Sequence, residues 1–197
     1  MQISSKIGSP SEQRTPCIIA VVHHKKVLGE AAQILDKNTN GLISSLIKRG
    51  DLRDEIGETL LINNCPGVTA SRLLLVNGGS SKGATESEFR KIVAGVAKRL
   101  KSLDIKTAID TIHRTHVTDR NGLSWKINTI AQEVSAAAYQ FNEFKTSKSK
   151  NQGFNKLTFL VNDTSEGKKM NAACKETSGV IQGIDLAKNL ANRPANI

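Results

Sequence analysis

At 197 residues, with 38% hydrophobic and 23% charged side chains, the chain has the composition of one globular domain with a real core, which argues against disorder and against a coiled coil. The apolar run at 17–22 is far shorter than the roughly 20 residues of a membrane-spanning helix, and residues 1–10 lack the apolar segment of a signal peptide, so we predict a cytoplasmic protein with no membrane partner. The net charge of +10 suits a nucleic-acid partner, and it suits plain solubility as well.

The first half of the chain alternates predicted strands and helices. Residues 2–7 read as an edge strand, and 17–23 as a strand buried on both faces. Apolar residues at helical spacing over 28–35 and 42–47 predict two helices, the second ended by Gly50. Two apolar strands at 58–64 and 71–79 flank a turn at 65–67, which predicts a hairpin within a mixed sheet.

The second half continues the alternation. Thr85 and Glu88 have the spacing of a capping box, and a helical apolar face follows up to Leu103. We predict strands at 106–112 and 156–163, a helix from Leu123 to Phe141, and a final helix over 165–193. These elements predict a three-layer α/β/α sandwich around a mixed sheet.

The final helix carries one predicted apolar stripe along its length, formed by Met170, Ala173, Cys174, Thr177, Val180, Ile181, Ile184, Ala187, Leu190 and Ala191. At 1.5 Å per residue this helix is ~43 Å long, whereas a compact domain of this size is ~40 Å across. We therefore expect its far end to need another partner.

No catalytic constellation is visible, and we assign no catalytic, cofactor-binding or metal-ligating residue. The glycine-rich stretch at 77–89 fails the order Gly-Lys-Ser/Thr of a phosphate-binding loop. His113 and His116 lack further metal ligands nearby, so we interpret them as part of a polar loop. The three cysteines, Cys17, Cys65 and Cys174, are odd in number and widely spaced, which predicts reduced, semi-buried thiols.

A lysine-rich segment at 145–156 is the candidate nucleic-acid site. It contains Lys145, Lys148, Lys150 and Lys156 with no acidic residue, and Phe154 would be free to stack on a base. Such a loop suits contacts to phosphate backbones. A solvated loop without a ligand explains the same residues and is the more common case.

The end of the chain, GIDLAKNLANRPANI at 183–197, resembles the junction between the two domains of the M17 leucyl aminopeptidases, also called cytosol aminopeptidases. Further stretches resemble bacterial members of that family in the same order, namely LDKNTNGLISSLIKRGDL at 35–52, GETLLINNCPGVTASRLLLVNGG at 57–79, EFRKIV at 88–93 and HVTDRNGLSWK at 116–126. The resemblance therefore covers essentially the whole chain.

The resemblance implies a macro-domain-like α/β/α fold for this chain. It also implies a parent enzyme whose C-terminal domain binds two divalent metals, zinc or manganese, removes N-terminal residues from peptides, and assembles as a hexamer. We accordingly predict an N-terminal domain at 1–164, and a long helix and linker at 165–197 that lead to a catalytic domain absent from this chain. The chain alone is expected to be inactive; a nucleic-acid-binding module, and more weakly a nucleotide binder, are the alternatives.

Overall fold

The computed structural model describes residues 1–118, 122–141 and 153–193. Within them one mixed sheet of seven strands has the order β1-β7-β6-β2-β5-β4, with β3 paired to β2. The strands are β1 (Gln2–Ile7), β2 (Ile18–His23), β3 (Val27–Leu28), β4 (Thr59–Asn63), β5 (Arg72–Asn77), β6 (Thr107–Asp110) and β7 (Lys156–Val161). The helices are α1 (Glu30–Asn38), α2 (Leu42–Arg49), α3 (Glu86–Ser102), α4 (Leu123–Ala138) and α5 (Thr164–Asn192).

The sheet is mixed, as the hairpin in the sequence predicts. Strands β1, β7, β6, β2 and β5 pair in parallel, while β4 pairs with β5 and β3 with β2 in the antiparallel sense. Residues 24–26 connect β2 to β3, and residues 64–71 connect β4 to β5. Such short connections join antiparallel neighbours, whereas parallel strands need a longer crossover. The predicted hairpin at 58–79 is thus confirmed.

Strand β2 contributes to two separate cores. Ile19 and Val21 pack in one hydrophobic cluster with residues of α3, α4 and α5, whereas Ile18, Ala20 and Val22 pack in the other with residues of α1 and α2. Successive side chains of a strand point to opposite faces, so a strand that is apolar throughout needs a helical layer on each side. The predicted three-layer α/β/α sandwich is confirmed.

The capping box at the start of α3 is present. The Glu88 amide donates to Thr85 Oγ1 at 3.3 Å, and the Thr85 amide donates to Glu88 Oε2 at 2.7 Å. The Thr85 hydroxyl also donates to Glu88 Oε2 at 3.0 Å. The hydrogen bonds that the Thr85 amide and hydroxyl donate hold the pKa of the Glu88 carboxyl below its usual range, because they favour its charged form. The signal read from two residues therefore fixes the first turn of a 17-residue helix.

His113 does not lie in a polar loop, so that interpretation is wrong for this residue, whereas His116 is exposed in the loop that follows. His113 is buried in a short 3-10 helix, where its Nδ1 lies 2.9 Å from Asp110 Oδ2 and its ring meets the ring of Phe159 edge-on. Pairing the imidazole with a carboxylate lets both side chains be buried, and this pairing is not visible in the local pattern of polar residues.

The three thiols are free and buried more deeply than predicted. Burial raises the pKa of Cys17 to about 12 and that of Cys174 to about 11, because a thiolate is poorly solvated in an apolar surrounding. They are core side chains.

Gly95 allows α3 to pack very closely against the turn that precedes β4. A Cβ atom built on it would lie 1.9 Å from the carbonyl oxygen of Gly57, just before β4, whereas a Cβ on Gly179 of α5 would meet no atom within 4 Å. Gly57 has φ of +86°, a conformation that favours glycine, so the approach depends on a glycine in each segment.

We expect Gly95→Ala to lower the free energy of unfolding by about 1 to 3 kcal/mol, because overpacking exceeds the gain in helix propensity. Gly179→Ala is the matched control and should raise it by about 0.5 to 1 kcal/mol. Urea denaturation of both variants measures the difference. Equal transition midpoints would contradict the close approach.

Candidate functional site

The first half of α5 is held against the sheet by its buried side chains. Asp163 Oδ1 accepts the Glu166 amide at 2.9 Å and so caps the helix. The residues that face inward recur at three- and four-residue steps and are Gly167, Met170, Ala173, Cys174, Thr177 and Ile181. They pack on β1, β7 and α4, so this half belongs to the core of the domain.

The second half of α5 is tied to α4 by polar contacts. The hydroxyl of Tyr139 donates to Asn189 Oδ1 at 2.8 Å and accepts Asn192 Nδ2 at 3.3 Å. The ammonium group of Lys188 lies 5.0 Å from the centroid of the Tyr139 ring, which is within the range of a cation–π contact. One aromatic side chain therefore fixes the direction of the last two turns.

A second apolar face of α5 is exposed to solvent. Gly179, Gly183, Leu186 and Leu190 follow at steps of four, three and four residues, which places them on one side of the helix. Leu186 is 60% exposed and Leu190 is 56% exposed, and a Cβ on either glycine would meet nothing within 4 Å. We call these four residues the outer face of α5.

The predicted apolar stripe along α5 is buried over its first half, whereas its last members are not. Its members up to Ile181 are mostly buried by the preceding residues, while Val180 is half-exposed and Leu190 is exposed. Leu186, which the predicted stripe does not include, is the most exposed large apolar side chain of the helix. Leu186 and Leu190 therefore lie on a second side of the helix, away from its buried residues.

The lysine-rich segment is placed only in part. Lys145, Lys148 and Lys150 lie outside the described residues, so their role stays a prediction. Lys156 is the first residue of β7, where it pairs with Gln2 of β1 and with Thr107 of β6. Phe154 is 8% exposed and belongs to the core cluster under α3 and α4, so the prediction that it is free to stack on a base is wrong.

A basic groove that the sequence analysis missed runs between α3 and the edge strand β4. It encloses about 470 Å³. Its cationic side chains are Lys91, Lys98 and Arg99, and Glu58 is the acidic residue that faces them. The sequence did contain a signal for this groove. Lys91 and Lys98 are seven residues apart in a predicted helix, which puts both lysines on the same side of it.

Metal-ligating side chains are not gathered anywhere in the described part of the chain. Over residues 1–118, 122–141 and 153–193, no three His, Cys, Asp or Glu side chains lie close enough together to hold an ion. Among the same residues, no helix combines the length and the apolar content needed to cross a membrane.

Comparison with known sequences identifies the family. Residues 18–148 match the model of the N-terminal domain of the cytosol aminopeptidase family. A probable cytosol aminopeptidase of Idiomarina loihiensis is 33% identical over the whole chain, which covers 39% of that relative. One from Glaesserella parasuis is 32% identical, again over the whole chain and 40% of the relative.

Comparison with solved structures shows the fold. A mutant of tomato leucine aminopeptidase matches the whole chain with a TM-score of 0.68 at 21% identity, and the match covers 39% of that structure. The macro domain of ganglioside-induced differentiation-associated protein 2 matches 88% of the chain with a TM-score of 0.61 at 13% identity, over 84% of its own length. The fold is therefore macro-domain-like, as predicted.

The chain spans about two fifths of the length of the relatives it matches. Since the family model covers residues 18–148 and the relatives match the chain from end to end, the chain belongs to the cytosol aminopeptidase family and corresponds to its N-terminal domain.

Proposed function

We propose that this chain is the non-catalytic N-terminal domain of a cytoplasmic peptide hydrolase that removes N-terminal amino acids from peptides. The observation that carries the proposal is the outer face of α5, where large apolar side chains are exposed to solvent. The chain spans only about two fifths of the length of its relatives, so a further domain is available to cover this face. The domain would support assembly and peptide access, and α5 would pack against the catalytic domain. We keep the division predicted from the sequence, with the domain at 1–164 and a long helix and linker at 165–197. The first half of that helix also packs in the core of the domain, and its later turns lead toward the proposed catalytic domain.

The composition of the outer face suits a polypeptide partner. Removing a leucine side chain from water contributes about 2 kcal/mol, so Leu186 and Leu190 together offer a substantial part of a docking energy. Gly179 and Gly183 have open space above them, which lets a partner backbone approach the helix closely. The cation–π contact and hydrogen bonds of Tyr139 hold the face in one direction before the partner arrives.

The family resemblance implies that the parent enzyme binds two divalent metals, zinc or manganese, and assembles as a hexamer. The described residues of this chain do not fit a metal site, because they gather no three ligands. We therefore assign the metals to the remaining three fifths of the relatives' length and derive no catalytic step from the residues of this chain. Its part in the hexamer would be structural.

Lysine substitutions on the outer face and on the buried face of α5 should change the free energy of unfolding by different amounts. Leu186→Lys with Leu190→Lys should leave the free energy of unfolding of this chain within about 0.5 kcal/mol, because both side chains are already solvated. Ile181→Lys, at a side chain that is 2% exposed, should lower it by about 3 kcal/mol or more, because it buries an unpaired charge. Urea unfolding of both variants tests this, and an equal loss in the two would contradict the assignment of faces.

Activity should require the rest of the parent. The chain incubated with Mn²⁺ and a leucyl amide should show no turnover above the blank. Joined to the part of the Idiomarina loihiensis relative that follows its aligned region, it should support turnover. Leu186→Lys with Leu190→Lys should then lower that turnover by about tenfold, as a loss of docking energy predicts.

The control for that experiment is Lys37→Gln, an exposed change on α1, which should leave the turnover of the fused protein unchanged. Turnover by the chain alone would contradict the proposal that it is non-catalytic. Full turnover of the fused double variant would contradict docking through the outer face.

A nucleic-acid-binding role is the second candidate, and the basic groove favours it. Lys91, Lys98 and Arg99 line one groove opposite the single carboxylate of Glu58, and the chain carries a net charge of +10. Polyanions bind such surfaces by releasing counterions, without reading sequence. Lys145, Lys148, Lys150 and Lys156, the candidate residues from the sequence, would add phosphate contacts to those of the groove.

Duplex DNA should bind the chain at about 50 mM salt with an affinity that falls steeply as salt rises, by a log–log slope of about −0.9 per phosphate contacted. Lys91→Gln with Lys98→Gln should make that slope shallower by about 2, whereas Lys37→Gln on the opposite layer should not change it. Fluorescence anisotropy measures both. Undetectable or salt-independent binding would exclude this role.

A further inference from the structure

A crevice lies between the carboxyl ends of β2 and β5. The two strands are neighbours and run in parallel. The connection after β2 forms α1 and α2 on one face of the sheet, whereas β5 leads into α3 on the other face. Where adjacent parallel strands send their connections to opposite faces, the chain opens at their carboxyl ends, and ligands of α/β proteins bind there.

A cavity of about 280 Å³ occupies this crevice. Its apolar lining comes from Val22, Ile47 and Leu52, all of them buried. Asn77, the last residue of β5, closes one side, because its amide group donates to the carbonyl oxygen of Arg53 at 3.0 Å and its Oδ1 accepts the Gly79 amide at 2.9 Å. The cavity thus has an apolar interior and a fixed polar wall.

Three cationic side chains surround the opening of this cavity: Lys25, Lys26 and Arg53. Lys26 Nζ donates to the carbonyl oxygen of Lys48 at 3.3 Å. Within the described ranges, the side chains of Lys25 and Arg53 have neither a hydrogen bond nor an ion pair. Two positive charges at the opening are therefore free to meet an anion.

The loop that carries these lysines is held in place. Lys25 and Lys26 both adopt left-handed backbone conformations, with φ of 58° and 65°, which few residues other than glycine occupy. The His24 amide donates to the carbonyl oxygen of Gly79 at 2.7 Å, and the His24 ring bonds to Asp54. The lysines are thus presented by a braced loop.

The acidic residue at the cavity already has partners. Asp54 accepts hydrogen bonds from His24 and, at 3.2 Å, from Asn77. The hydrogen bond from His24 holds the pKa of this carboxyl below its usual range, so Asp54 stays negatively charged. Among the described residues, its hydrogen bonds go to His24 and Asn77 and not to Lys25 or Arg53.

We propose that this cavity binds a small organic carboxylate with a compact, branched apolar body. The carboxylate would meet Lys25 and Arg53, since the guanidinium fork matches a carboxylate, and the apolar body would fill the space lined by Val22, Ile47 and Leu52. The C-terminal end of α2 lies at the cavity with Gly50, and the negative end of its dipole disfavours any anion there. A phosphate dianion fits less well than a carboxylate, because its charge is doubled and it has no apolar body. This inference is independent of the proposed function.

The test is a titration of the ¹⁵N-labelled chain with 4-methylpentanoate, followed by NMR. We expect saturable shifts of the amide signals of Lys25, Lys26 and Arg53. Acetate, which lacks the apolar body, should bind at least about tenfold more weakly, and inorganic phosphate should do the same. Lys25→Gln with Arg53→Gln, both at exposed positions, should weaken binding of 4-methylpentanoate by about tenfold.

The control variant is Lys37→Gln, on the surface of α1, which should bind as the unchanged chain does. The proposal is overturned if 4-methylpentanoate gives no saturable shift up to roughly 20 mM, if acetate binds equally well, or if the double variant keeps full affinity. Because the amide spectrum also reports whether each variant is folded, loss of binding through unfolding is recognised directly.

Discussion

The architecture depends on the burial of β2 and β5 from both sides. Ile18 and Ile19 are adjacent in sequence, point to opposite faces, and are both fully buried. Two strands of this kind cannot be stable with one face in water, since each exposed isoleucine or leucine would forfeit about 2 kcal/mol. The two helical layers follow from that requirement. So does the crevice at the carboxyl ends, because covering both faces sends the connections in opposite directions.

The last helix combines two tasks on two sides. Its first half completes the layer that covers β1 and β7 through Met170 and Ile181. Its later turns leave that layer and carry Leu186 and Leu190 on the outer face, where they contact solvent. A helix with apolar residues on two sides can pack against two domains at once. The proposed docking of the catalytic domain on the outer face of α5 uses this property.

Much of the fold could be predicted from local signals. The capping box at Thr85, the continuous apolar run around Ile18 and the helix-ending Gly50 each act over a few residues, so local sequence patterns predict them. The resemblance of residues 183–197 to the domain junction predicted the family, and the family model that matches residues 18–148 confirms it. The burial of His113 could not be predicted, because its ring packs against Phe159, which is distant in sequence, in addition to pairing with Asp110.

The sites were harder to predict than the fold, because they join distant residues. Lys91 and Glu58 line one groove only because α3 packs beside the segment that enters β4. Lys25 and Arg53 line one cavity only after β2 and β5 have paired. The outer face of α5 was not predicted for a different reason. Leu186 lies outside the predicted stripe, and only packing decides which of two apolar sides a long helix buries.

The central claim is that the outer face of α5 is covered by the catalytic domain of the parent enzyme. Amide hydrogen exchange over residues 182–192 tests it most directly, measured in this chain alone and in the chain fused to the remaining part of the Idiomarina loihiensis relative. The account predicts fast exchange in the isolated chain and protection increased by about tenfold or more in the fused protein. Equal exchange of this segment in the two proteins would contradict it.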